Sequence, residues 1–270
     1  LRFLLRITLL IVSLMIKKTR LNAVSYLNTK PLTYALERRI INHNFEILYD
    51  VPSVCARQVR TGEAAAGVIP SIEYARNLTS YFIVPDVAIV SAGPVGSIFL
   101  FHRVPIHRIK RIAMDESSRT SVALARIILN EKYCLNFSTI NHQPNITSML
   151  ELADAALVIG DPALENFNRP EPRIDLGEIW QEMTGLPFVY AFWAGKEKAL
   201  SLKEIKSLIQ AKNHGINCLS EIANSHAYNH SLSGSFYSEY LTERLTYNFG
   251  NLEQKGLLEF YRLAQTHGLI

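Results

Sequence analysis

The sequence predicts an α/β protein built as two lobes around a cleft, and three observations carry that prediction. Short apolar runs alternate with helix-like segments from about residue 20 to 195. Such alternation gives a mainly parallel sheet covered on both faces. Two strand-like runs, 95–103 and 187–195, are alike in apolar character and enclose a complete strand–helix set able to form a sheet of its own. After Gly195 the pattern changes to helices alone. A chain that leaves one lobe through the first run and returns through the second has lobes of residues 15–95 plus 187–270 and 96–186, with a ligand cleft at the carboxyl ends of the strands.

In order, "RLNAVSYL" reads as a strand, and "TKPLTYALERRIIN" as a helix with Pro31 in its first turn, where a missing N–H costs nothing. Further strands are expected at "FEILYDV", "AAAGVIP", "IVPDVAIVSAG", "GSIFLFH", "RIAMD", "AALVIGD" and "PFVYAFWAG". The tail segments "LKEIKSLIQAKNHG", "INCLSEIANSHAY", "FYSEYLTERLTYNFG" and "LEQKGLLEFYRLAQTHG" read as helices, several closed by Gly.

Composition narrows the function. With 270 residues, 48% of them hydrophobic, the chain can bury a substantial core. Its net charge of +4 is spread out, with no basic run interleaved with aromatics, so a small anionic ligand fits better than nucleic acid. Cys55, Cys134 and Cys218 lack the spacing of a zinc site or disulfide framework and read as small buried thiols in a reducing compartment. The opening "LRFLLRITLLIVSLMIKKTR" is too short to span a bilayer and is followed by no cleavage site. Residues 1–14 are therefore expected to be a non-native extension before Met15, and the protein to be cytoplasmic, with no membrane partner.

Four strand ends carry polar groups. In "MDESSRTSVALARIIL", Ser117, Ser118, Arg119, Thr120 and Ser121 crowd the start of a helix, where free N–H groups and the helix dipole favour an anion. One N-cap would need only one of them. Asn28 and Thr29 begin the first helix, where local grounds favour a simple cap as the role of Asn28. In "SAGPVGSI" two glycines precede Ser97, without the Lys of a nucleotide-binding loop. Gly160 and Asp161 close "LVIGD". Of the remaining conspicuous residues, His226 and His230 read as surface groups and not a metal pair, Trp180 and Trp193 as core or cleft wall, and Tyr237, Tyr240 and Tyr247 as a packing stripe.

Several signatures in one order, "VSYLNTKPL", "VIPSIEYAR", "PDVAIVSAGPVGSIFLF", "IAMDESSRTSVAL", "ALVIGDPAL" and "DLGEIWQEMTGLPFVYAFWA", resemble the chorismate dehydratase family of the futalosine route to menaquinone. The resemblance is strong over residues 16–195 and loose in the helical tail. It implies a two-lobed fold like the type II periplasmic binding proteins, used as a lyase that converts chorismate to 3-[(1-carboxyvinyl)oxy]benzoate and water, without metal or organic cofactor. It further implies Asn28 and Ser97 as catalytic residues. Ser25, Ser118, Arg119, Thr120, Ser121, Gly160 and Asp161 are the implied substrate contacts. The sister enzyme that makes 1,4-dihydroxy-6-naphthoate has Ser-Pro-x-Pro-Asn-Asp where this chain has Ser25-Tyr26-Leu27-Asn28-Thr29, and a His where it has Gly160. A non-catalytic solute-binding protein is the other alternative. One departure from the family pattern is Ala65, where an Asp is usual.

Overall fold

The structure, a computed structural model, describes residues 18–77 and 80–270. The expected extension at residues 1–14 lies outside them. The strands are β1 (Thr19–Val24), β2 (Phe45–Asp50), β3 (Ala66–Pro70), β4 (Tyr81–Ser91), β5 (Ile98–His102), β6 (Arg111–Asp115), β7 (Ser138–His142), β8 (Ala155–Ile159), β9 (Arg173–Asp175) and β10 (Phe188–Lys196). The helices are α1 (Lys30–Glu37), α2 (Pro52–Thr61), α3 (Ser71–Ala75), α4 (Thr120–Glu131), α5 (Ile146–Leu152), α6 (Gly160–Glu165), α7 (Leu176–Thr184), α8 (Leu202–Gly215), α9 (Leu219–Ala227), α10 (Gly234–Glu239) and α11 (Asn251–Thr266).

Two five-stranded sheets share one plan. In the first, ordered β2-β1-β3-β10-β4, the three neighbours β2, β1 and β3 run parallel, and β10 is antiparallel to both β3 and β4. In the second, ordered β7-β6-β8-β5-β9, β5 plays the part of β10. The chain leaves the first sheet after Ser91 and re-enters it at Phe188, so each lobe holds an apolar sheet with helices on its faces. β3 and β8 are buried at every position, as expected of strands covered on both sides.

Local sequence explains most boundaries. Pro31 and Pro52 sit in the first turns of α1 and α2. Ser201 and Glu204 form a reciprocal capping box on α8. Both tryptophans belong to the core, fully buried.

Four expectations need correction. The first helix stops at Glu37, because Arg39 at φ 55° turns the chain back. Strands β7 and β9 carry little apolar pattern because they are edge strands, one partly exposed and the other only three residues long. Only Cys55 is a buried thiol; Cys134 is exposed and Cys218 half-buried. "FYSEYLTERLTYNFG" is not one helix: α10 runs into a π-helical turn, Tyr240–Arg244, and the chain then extends. Thr246 exchanges backbone hydrogen bonds with Val90 at 2.9 and 3.0 Å; the open edge of β4 offers a ladder that continued helix would forgo.

Candidate active site

The carboxyl ends of β1, β3, β6 and β8 face one another across the lobes and enclose a cavity of about 550 Å³, its mouth included. Asn28, Ser97, Ser118, Arg119, Thr120, Ser121 and Gly160 all line it. Tyr26, Pro70 and Tyr190 add wall from the first lobe. Ser25 does not line it; the residue is exposed, and its N–H donates to the Asp50 carbonyl. Asp161 is not a lining residue either.

The polar run before α4 divides its labour. Arg119 occupies the N-cap position without capping by its side chain, so neither Ser117 nor Ser118 is the cap. Ser117 Oγ donates to Asp115 Oδ1 at 2.6 Å and lies 3.3 Å from the Tyr26 hydroxyl. Thr120 Oγ1 accepts from the N–H of Ile72 at 3.3 Å, which ties α4 to the start of α3 in the other lobe. Ser118 and Ser121 keep hydroxyls that bond no other described residue. Arg119 forms no ion pair among the described residues and extends from the cavity to an exposed basin bearing Arg57, Arg60 and Arg76. Two hydroxyls, a guanidinium and uncapped helix N–H groups thus remain for an anion.

On the opposite wall, Tyr240 donates its hydroxyl to Ser97 Oγ at 2.9 Å. Burial raises the phenol above the usual tyrosine range, and the hydrogen bonds of Ser97 and Asn28 partly counter this. The Ser97 carbonyl accepts from the Gly160 N–H at 2.8 Å. Behind them, Asp175 organises the crossover: its carboxylate accepts from the N–H groups of Val95, Gly96, Gly177 and Glu178 at 2.6–3.2 Å. That one side chain caps α7 and sets the loop that delivers Ser97.

Asp161 Oδ1 accepts the Leu27 N–H at 2.8 Å, across the lobes. Burial pushes its carboxyl up to about 6, opposed by that hydrogen bond. Glu116 is exposed and faces a neighbouring surface basin instead of the cavity. Among the described residues, no His, Lys, Asp or Glu lines the cavity. The His226 and His230 rings stack at 3.8 Å away from it, half-buried instead of exposed, and burial followed by the charge of His230 holds His226 down at about 4. No group of three or more His, Cys, Asp or Glu able to hold a metal occurs among the described residues, and no helix among them is long and apolar enough to cross a membrane.

A family described as menaquinone biosynthesis matches residues 19–266. The chain belongs to that family. The menaquinone biosynthesis family thereby covers both lobes and the helical tail, Tyr240 included. A chorismate dehydratase of Thermus thermophilus is 27% identical over 263 residues, covering 90% of this chain and 93% of that relative. Among solved structures, an Archaeoglobus fulgidus protein superposes with a TM-score of 0.80 at 20% identity, covering 94% of this chain and 98% of its own. A Candida albicans protein described as exhibiting the generic periplasmic binding protein fold gives 0.67 at 12% identity, with 93% and 91% covered. The fold is thus the two-lobed one of periplasmic binding proteins.

Sequence reasoning missed Tyr240, which it placed in a packing stripe. No signal in the sequence separates it from Tyr237 and Tyr247, whose hydroxyls are buried without a hydrogen-bond partner among the described residues. The π-helical turn that Tyr240 begins has no signature in sequence either.

Proposed function

We propose that this protein is a chorismate dehydratase, a lyase that eliminates water from chorismate to give 3-[(1-carboxyvinyl)oxy]benzoate. The observation that carries the reading is a buried interlobe cavity that offers, among the described residues, neutral donors and one guanidinium but no His, Lys, Asp or Glu to serve as a base. A dianionic ring acid matches the donors, and the lack of a base among the lining residues matches a substrate that brings its own. In this reading residues 15–95 plus 187–270 and 96–186 are the two lobes that meet on the substrate.

The reaction removes a proton from the ether-bearing ring carbon and hydroxide from its neighbour, and gains aromaticity. The enolpyruvyl carboxylate of the substrate takes the proton. The C–H electron pair becomes the new ring π bond, hydroxide departs with the C–O pair, and proton and hydroxide leave as water. Arg119 with Ser118, Ser121 and the N-terminal N–H groups of α4 holds one carboxylate. Asn28 and Ser97 hold the reacting side of the ring. Positioning of this kind supplies on the order of 7 kcal/mol or more in favourable intramolecular cases.

Incubation with chorismate tests the proposal: loss of the diene absorbance and appearance of an aromatic product of matching mass are expected. Tight binding without turnover would make the protein a solute binder. If Asp161→Asn or Glu116→Gln abolished turnover with chorismate affinity intact, a protein base would be required and the substrate-borne base would fall.

A further inference from the structure

Tyr240 lies outside the cavity wall and donates its hydroxyl to Ser97, one of the two implied catalytic residues. It lies 143 positions from Ser97 in sequence and begins the π-helical turn that follows the helix of residues 234–239. Such turns recur at functional sites.

A serine hydroxyl has one proton and two lone pairs, and its direction is set by its neighbours. Tyr240 donates to Ser97 Oγ, so one lone pair of that oxygen is occupied. The Ser97 hydroxyl proton has no acceptor among the described residues, and Ser97 lines the cavity. Asn28 lies on the same wall, where its Oδ1 accepts from Thr29 Oγ1 at 3.4 Å. The two hydroxyls therefore point one way: Tyr240 to Ser97, Ser97 into the cavity.

We propose that Tyr240 is a positioning residue that fixes the polarity of Ser97, so that the serine presents its proton, not its lone pairs, to the hydroxyl leaving the substrate. The assignment rests on the dehydratase reading. A chain of aligned donors strengthens its last member, and that member meets negative charge only as the C–O bond breaks. No proton leaves Ser97 for good: the departing hydroxide is neutralised by the proton taken from the ring carbon, and Ser97 and Tyr240 end as they began. Burial keeps the phenol protonated at neutral pH, so it retains the proton that it donates to Ser97.

The test is a double-mutant cycle on chorismate turnover. Tyr240→Phe keeps the ring and removes the donor. The expected result is a ten- to hundred-fold fall in kcat with chorismate affinity within two-fold of wild type, and a double variant with Ser97→Ala no slower than Ser97→Ala alone. Wild-type rate in Tyr240→Phe, or losses that multiply in the double variant, overturns the assignment. A readout independent of turnover and of how Tyr240→Phe folds is the Tyr240 hydroxyl proton, which burial and hydrogen bonding protect from exchange. In protein with labelled tyrosine its resonance is expected to move upfield in Ser97→Ala; a resonance that Ser97→Ala leaves unchanged overturns the proposal. Should the wild-type protein leave chorismate intact, the dehydratase reading fails by itself, and this resonance still decides the orientation of Ser97.

Discussion

Gly160 lies flat against the ring of Tyr26, so close that a Cβ on the glycine would stand 2.4 Å from Tyr26 Cδ2. The glycine belongs to the second lobe and the tyrosine to the first, and beside them Asp161 holds the Leu27 N–H. This pairing brings the lobes together along one side of the cavity. Gly160 also has φ of 63°, a region that side-chain-bearing residues rarely enter. Gly160→Ala is therefore expected to lose both backbone comfort and lobe contact, roughly 2–4 kcal/mol of stability together with most turnover. Thermal melts of Gly160→Ala, Tyr26→Ala and the double variant check it. The double variant should recover part of the loss, since the clash partner is gone; a fully additive result would contradict the contact.

Asp161→Asn gives a pH signature. The folded-state pKa is raised from 3.8 to about 6, so the folded protein prefers the protonated side chain. Its stabilising share is whole below about pH 4, is lost as pH rises through 6, and stays lost above. An asparagine keeps an acceptor for Leu27 and carries no charge. Asp161→Asn should thus be more stable than wild type by on the order of 2 kcal/mol at pH 7.5, with the difference vanishing toward pH 4. Denaturant melts across that window decide it, and a difference independent of pH would be evidence against the buried charge.

Ser117 and Ser118 are adjacent and chemically identical, yet their substitutions should separate. Ser117→Ala removes the donor to Asp115 and should cost about 1–2 kcal/mol of stability with chorismate affinity unchanged. Ser118→Ala breaks no hydrogen bond made by the side chain, so its melting temperature should hold while KM rises several-fold. Paired melts and steady-state kinetics on the two variants provide the comparison, and the reverse pattern would move the anion contact to Ser117.

Arg119→Gln should leave stability near wild type, because the guanidinium forms no ion pair among the described residues. Affinity for the dianion should fall roughly 10- to 100-fold, the range of a hydrogen bond to a charged group. With Arg57, Arg60 and Arg76 in the adjoining basin, kcat/KM should also decline with added salt as steering is screened. Kinetics at two or three ionic strengths test both statements.

Much of this was legible in the order of residues. The alternation of β1 through α6 and the crossings between lobes follow from apolar runs and helix signals, since burial on both faces leaves a compositional trace. The polar residues Asn28, Ser97, Ser118 and Gly160 that line the cavity were readable as a set, although Asn28 or Ser118 taken singly reads as a helix cap. Folding decided what one chain position cannot carry by itself. Which hydroxyl of the run 117–121 faces the cavity and that Asp161 serves Leu27 depend on neighbours from the other lobe, and that Ser25 points to solvent depends on its place beside Asp50 in its own sheet. The helical tail shows the same division: its apolar stripe announced packing, but the demand of the β4 edge for partners ended the helix early, and only the folded chain brings Tyr240 onto Ser97. Local sequence encodes burial and backbone preference; partnership between distant groups exists only once the two sheets have met.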